Sequence, residues 1–509
     1  MSDARKLLHN TLLLTAASFL MRTVSVSFNV YLTNRIGADG IGLFQLIFAV
    51  YSLAVTYACS GIRLASMRLT ADNSAAGLCG ERQIMRRCLL YAIVCGTATA
   101  AVMFFGTDLI GAKWIKDIRS TSPLKILCAS LPFVSMSAAL DGYFTAAGKL
   151  VRYTAVQLLE QVFKIAVTVF ALGKVSAGDL EDACKAVTFG ISVAEVFSLT
   201  CSYTVYRFSS EKSEQNEKNI IKRLLKISVP DAVGSEMRSI LMTVEHLLIP
   251  SGLRKSGCDT QAALASYGII HGMSLPLVLY PSALLSSLSC LLIPELSVQH
   301  ISGSKTRISY IISRVLHLTL IFSIGTAGIM YFGAEKLSLA VYGNSNAAFY
   351  IQLLSPLIPV MYADMSVDGI LKGLDQQVSC MRYNIIDASL CVALVYFFVP
   401  VFAVKGYIIV VFVSECVNFF LSFRRLTIVS EVKIELFKDL VIPLLCAVSA
   451  GLFKQIFFGI IPAAQNIKTA AATEIIFSAV CYCVLLLVFR AIDNEEVLWI
   501  KRTFKPSKA

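Results

Sequence analysis

Runs of roughly 18 or more nearly uncharged residues recur along the whole chain, and each is long enough to cross a bilayer's hydrocarbon as a helix. Composition agrees. Hydrophobic residues make up 56% and charged residues 15% of the 509 positions, with a mean hydropathy of +0.71. A soluble domain carries about 25% charged residues and needs them to cover its surface. The chain is therefore expected to be an all-α polytopic membrane protein with about fourteen transmembrane helices. They fall near 8–31, 41–60, 86–105, 122–140, 153–172, 186–206, 222–249, 263–293, 308–332, 348–371, 382–402, 406–423, 437–459 and 470–490. The short basic N-terminus leads into an uncleaved first helix containing Arg22.

Connections are short, and the longest polar one starts at Arg207. The expected organisation is a six-helix bundle over 1–210, a cytoplasmic linker over 211–221, a second six-helix bundle over 222–425, and two further helices with a basic tail over 426–509. With the N-terminus inside, about 29 basic residues fall on cytoplasmic segments against about 12 outside, so both termini are expected in the cytoplasm. The net charge of +12 thus reflects orientation, and no nucleic-acid partner is expected.

The two halves echo each other. Pro132, Asp141-Gly142, Val151, Gln157 and Glu160 recur at one constant offset as Pro359, Asp368-Gly369, Val378, Asn384 and Asp387. A looser echo pairs Met21-Arg22 with Met237-Arg238. Six helices is an even number, so the repeats enter the membrane in the same orientation, and such bundles commonly enclose a central site.

Charges inside spans are informative, because each costs about 2.5–3.5 kcal/mol at a helix centre. Arg22 and Arg238 are candidate substrate-binding residues, since a planar guanidinium suits phosphate oxygens. They line a cationic cavity or belong to structural ion pairs. Asp231, Arg238 and Glu245 recur at a spacing of seven and form one stripe. Gln157, Glu160, Gln161 and Lys164 share a face of the fifth helix, where Glu160 and Lys164 can pair along the helix. Glu245 and Gln157 join the substrate-binding candidates, and Asp231, Glu160, Lys164 and Asp387 are candidate ion-coupling residues. The two Asp-Gly pairs are expected to close helix ends. RIGADGIG around Gly37 is a turn, not a phosphate loop, because no strand precedes it and no Lys follows at the required spacing. Pro276 and Pro281 predict a kink or break.

Fifteen scattered cysteines and five histidines offer no metal-ligand spacing, so neither metal nor cofactor is expected, and the reading is a transporter, not an enzyme.

Three stretches, Ile36–Leu53, Ser60–Asp72 and Gln157–Lys164, resemble the polysaccharide-biosynthesis transporters related to stage V sporulation protein B. These belong to the multidrug/oligosaccharidyl-lipid/polysaccharide exporter superfamily, which includes the lipid II flippases. Arg63 departs from the pattern, where a proline usually follows Ser-Gly-Ile. The resemblance implies a cell-membrane flippase for undecaprenyl-diphosphate-linked saccharides in cell-wall or spore-cortex assembly. The partners expected with it are a lipid-linked oligosaccharide, membrane lipids, a coupling H+ or Na+, and cell-wall synthesis enzymes. The alternative is a cation-coupled multidrug or metabolite antiporter. A membrane-embedded glycosyltransferase would need a sizeable outer loop, and here those loops are short.

Overall fold

The structure, a computed structural model, describes residues 3–75, 81–175, 179–209, 220–285, 296, 305–430, 437–460, 466–489 and 491. Among them every regular element is helical. In chain order these are α1 (Asp3–Cys59), α2 (Ile62–Ala75), α3 (Glu81–Leu109), α4 (Thr121–Cys128), α5 (Leu131–Ala146), α6 (Leu150–Leu172), α7 (Leu180–Ser209), α8 (Ile220–Lys255), α9 (Thr260–Gly268) and α10 (Leu275–Leu279). There follow α11 (Lys305–Tyr342), α12 (Ala348–Leu354), α13 (Ile358–Gly373), α14 (Gln377–Val429), α15 (Ile442–Ile460) and α16 (Ile467–Val488). Helices satisfy their own backbone hydrogen bonds, which hydrocarbon cannot do for them. Many of their outward residues are apolar, as with Val102 and Phe105 on α3, which are 76% and 84% exposed.

Among the described residues, nine helices are long and apolar enough to cross a membrane, or ten if the pair α4 and α5, bent by 49°, counts as one span. Two of the nine stretches run 58 and 53 residues, far beyond the ~20 that one crossing needs. Each contains a break where the sequence separates two spans. Gly37 interrupts α1 at φ 77°, a left-handed conformation that glycine adopts without a Cβ clash. Ala403 interrupts α14 at φ 50°. The segment α8 is one continuous helix but is not among the nine. Residues 286–293 of the expected eighth span lie outside the described residues.

Contacts divide the chain into two compact units. One comprises Met1–Asn34, Ile269–Cys391 and Val404–Ala509, the other Arg35–Gly268 and Val392–Ala403. By contact, the first half of α1 groups with helices beyond residue 269. In the first unit, Val30 of α1 packs on a core that includes Met273, Val278, Leu354, Ile358 and Tyr362. In the second, Ile62, Leu69, Cys88, Leu140, Phe144 and Leu224 form the core shared by α2, α3, α5 and α8.

A local echo accompanies the sequence repeat. Both α5 and α13 are 16 residues long and carry a proline, Pro132 or Pro359, in the first turn. Proline suits that position, where its missing N–H leaves no gap.

Candidate functional site

In the first unit, α1 lies against a broken helix. After α9, the chain runs through a wide π turn (Ile269–Ser274), the short α10 and a tight 3-10 turn (Tyr280–Ser282). Pro276 and Pro281 cause the break, as expected, because neither can donate to the carbonyl four residues earlier. Gly272 is the carbonyl that Pro276 cannot serve. Asn29 of α1 donates its side-chain amide to it at 2.5 Å. Tyr342 donates to the Met273 carbonyl at 2.8 Å and Tyr362 to that of Val278 at 2.6 Å. Three side chains from outside the segment thus supply donors to its carbonyls.

Arg22 projects from α1 onto the same segment. It is half-buried, and its Nη1 donates to the Ser282 hydroxyl at 3.4 Å. The adjacent Thr23 hydroxyl lies 2.9 Å from that of Tyr280. Among the described residues no carboxylate pairs with Arg22. Of the two readings left open by the sequence, the structural ion pair therefore finds no support at this residue.

The other candidates in this unit lie on α13 and α14. Asp387 accepts a short hydrogen bond from Ser414, and Asn418 donates to Asp364 at 2.9 Å. Asp368 pairs with Lys372 at 3.5 Å.

In the second unit, Asp231 and Arg238 are exposed on α8 and Glu245 is half-buried. Asp231 lies within electrostatic reach of Arg68, and Glu245 of Tyr267, whose hydroxyl is 2.9 Å from His246 Nδ1. Gln157 donates to the Tyr153 hydroxyl at 3.1 Å. Glu160 accepts from Ser198 of α7 at 2.6 Å. The pair that Glu160 and Lys164 could make along the helix is not formed; Ser198 holds the carboxylate, and Glu195 of α7 lies within electrostatic reach of both residues.

Asp141 accepts from Arg63 at 2.5 Å. The residue that replaces the expected proline is thus the partner of the repeated aspartate. Beside it, a Cβ on Gly142 would come within 2.3 Å of the Arg63 carbonyl, so only glycine lets α2 and α5 approach this closely.

The sequence reading passed over Lys336, Lys454 and Glu474, which form one cluster in the first unit. Glu474 takes both lysines, Lys454 at 3.0 Å. It also passed over His317, which bonds Asp439 at 2.5 Å. The available signal was the presence of Lys454 and Glu474 inside successive apolar spans.

The profile of the polysaccharide biosynthesis protein family matches residues 7–298. The chain belongs to that family. Stage V sporulation protein B of Bacillus subtilis (strain 168) is 23% identical over 509 residues, covering 96% of each chain. Sporulation protein YkvU of the same organism is 20% identical over 393 residues, covering 76% of this chain and 86% of its own. Among solved structures, the inward closed conformation of the lipid II flippase MurJ has a TM-score of 0.72 at 12% identity, over 94% of this chain and 98% of that one. An inward-facing multidrug resistance MATE transporter has a TM-score of 0.62 at 11% identity, over 81% and 96%. This member of the polysaccharide biosynthesis family therefore has the multi-span helical membrane fold of those two transporters.

Proposed function

We propose that the chain is a flippase that carries undecaprenyl-diphosphate-linked saccharides, lipid II-like precursors, from the cytoplasmic to the outer leaflet by alternating access. In this reading it spans the cell membrane fourteen times, as two six-helix repeats plus two helices, with both termini in the cytoplasm. The observation that carries it is Arg22. A permanently charged guanidinium sits half-buried in an apolar helix, held by a serine hydroxyl and by no carboxylate among the described residues. Such a group is costly in hydrocarbon and is explained by an anionic cargo.

A saccharide diphosphate cannot cross hydrocarbon unaided, because its polar groups lose water without compensation. Arg22 and Arg238 take the diphosphate, with Glu245 and Gln157 as head-group contacts. Asp231, Glu160, Lys164 and Asp387 are the sites for coupling to H+ or Na+, and α15 and α16 offer an apolar groove to the tail. The relatives named for sporulation support a role in spore or cell-wall assembly.

Reconstitution tests this. Purified protein in liposomes with labelled lipid-linked saccharide should expose the head group on the opposite face. Arg22→Ala should abolish that movement, and Arg22→Lys should recover part of it. Efflux of a cationic dye with no movement of any undecaprenyl-diphosphate cargo would replace the flippase with the antiporter.

A further inference from the structure

Lys336, Lys454 and Glu474 come from three helices of the first unit, α11, α15 and α16. Lys336 lies six residues before the end of α11 and Lys454 six before the end of α15, while Glu474 lies seven after the start of α16. At 1.5 Å per residue, each is about 10 Å from its helix end. The hydrocarbon core is about 30 Å thick within a bilayer of about 40–45 Å. The cluster therefore lies inside the apolar span, at a depth from which a long lysine side chain extends toward the headgroups.

Its charges do not cancel. Two ammonium groups face one carboxylate. Glu474 is 3% and Lys454 6% exposed. The Lys454 ammonium also donates to the Phe332 carbonyl at 2.8 Å. Lys336 keeps a side chain 46% exposed. Counting exposed Glu335 and Lys468 on the same helices leaves the excess at one positive charge. The cavity behind the cluster, lined by Ile329, Gly333, Leu337, Ala471, Ile475 and Ser478, has a volume of about 10 Å³. That holds one water at most. An anion can therefore reach the cluster only from the open side of Lys336.

We infer that this cluster binds the phosphate of an anionic phospholipid of the surrounding membrane. The half-exposed Lys336 extends its ammonium toward the headgroups, and the charge is complementary. Exposed Leu452, Phe453 and Ile456 of α15 and Ile476 of α16 offer acyl chains an apolar wall on the same two helices. The inference concerns a resident membrane lipid and does not rest on Arg22 or on the identity of the cargo.

The test is retention of phosphatidylglycerol against phosphatidylcholine by the full-length protein, read by native mass spectrometry after transfer from mixed vesicles. Lys336→Gln removes the excess charge and should weaken phosphatidylglycerol retention about fivefold, leaving phosphatidylcholine unchanged. Glu474→Gln adds an excess charge and should strengthen it. Opposite effects of the two substitutions support the site. Equal losses in both would mark a purely structural ion cluster and overturn it. Unchanged retention in folded Lys336→Gln, or displacement of the lipid by millimolar inorganic phosphate, would overturn it as well.

Discussion

Ser198 on α7 donates a hydrogen bond of 2.6 Å to Glu160 on α6. In the other half of the sequence, Ser414 donates to Asp387, the residue that matches Glu160 at the repeat offset. Each carboxylate is thus held by a serine from the helical stretch that follows it. Ser198→Ala and Ser414→Ala should each destabilise the protein by about 1 kcal/mol, within the range of side-chain hydrogen bonds in membranes. Thermal unfolding in detergent checks this. If Glu160 couples an ion, Glu160→Gln should leave stability nearly unchanged and make transport insensitive to an imposed H+ or Na+ gradient.

The Arg63–Asp141 pair is short, but the arginine side chain is 67% exposed. Water and salt screen such a pair, so a double-mutant cycle with Arg63→Ala and Asp141→Asn should give a coupling of about 0.5–1 kcal/mol. A coupling near 3 kcal/mol would mean that the arginine is desolvated in the membrane-bound protein. Arg63→Pro restores the usual family residue and should fold, because position 63 lies in the first turn of α2.

Asn29→Ala removes the donor that serves the Gly272 carbonyl. Leaving a buried carbonyl without that partner should cost about 1–3 kcal/mol. Asn29→Gln should do no better, since the longer chain displaces the amide. Paired thermal melts of the two variants measure both.

Gly37→Ala forces a Cβ into a left-handed conformation at φ 77°. The expected cost is about 1–2 kcal/mol. Ala403, at φ 50°, offers the reverse experiment. Ala403→Gly relieves a similar strain and should raise the melting temperature in detergent.

Much of this was legible in the sequence because hydrocarbon imposes simple rules. Apolar runs marked the chain as an all-helical, multi-span membrane protein, and glycine in RIGADGIG and the prolines 276 and 281 located breaks. Other features were not legible. The first half of α1 groups with residues beyond 269, since apolar periodicity says which segments cross a membrane but not which of them touch. Glu160 was placed with Lys164 on helical spacing alone, whereas Ser198, 38 positions away, takes its carboxylate. Lys454 and Glu474 carried a signal in their setting, but both lie beyond the sequence repeat, where no matching position marked them.

The broken segment 269–282 has its carbonyls served by Asn29, Tyr342 and Tyr362. An unbroken helix carries its hydrogen bonds with it and can slide lengthwise past its neighbours at little expense. This segment cannot. A shift of one residue would strip several carbonyls of their donors at once, with no water in hydrocarbon to replace them. The break thus acts as a rivet: it pins α1, α11 and α13 to a single axial register. Any rearrangement within the first unit during transport must leave that register intact and take place around it.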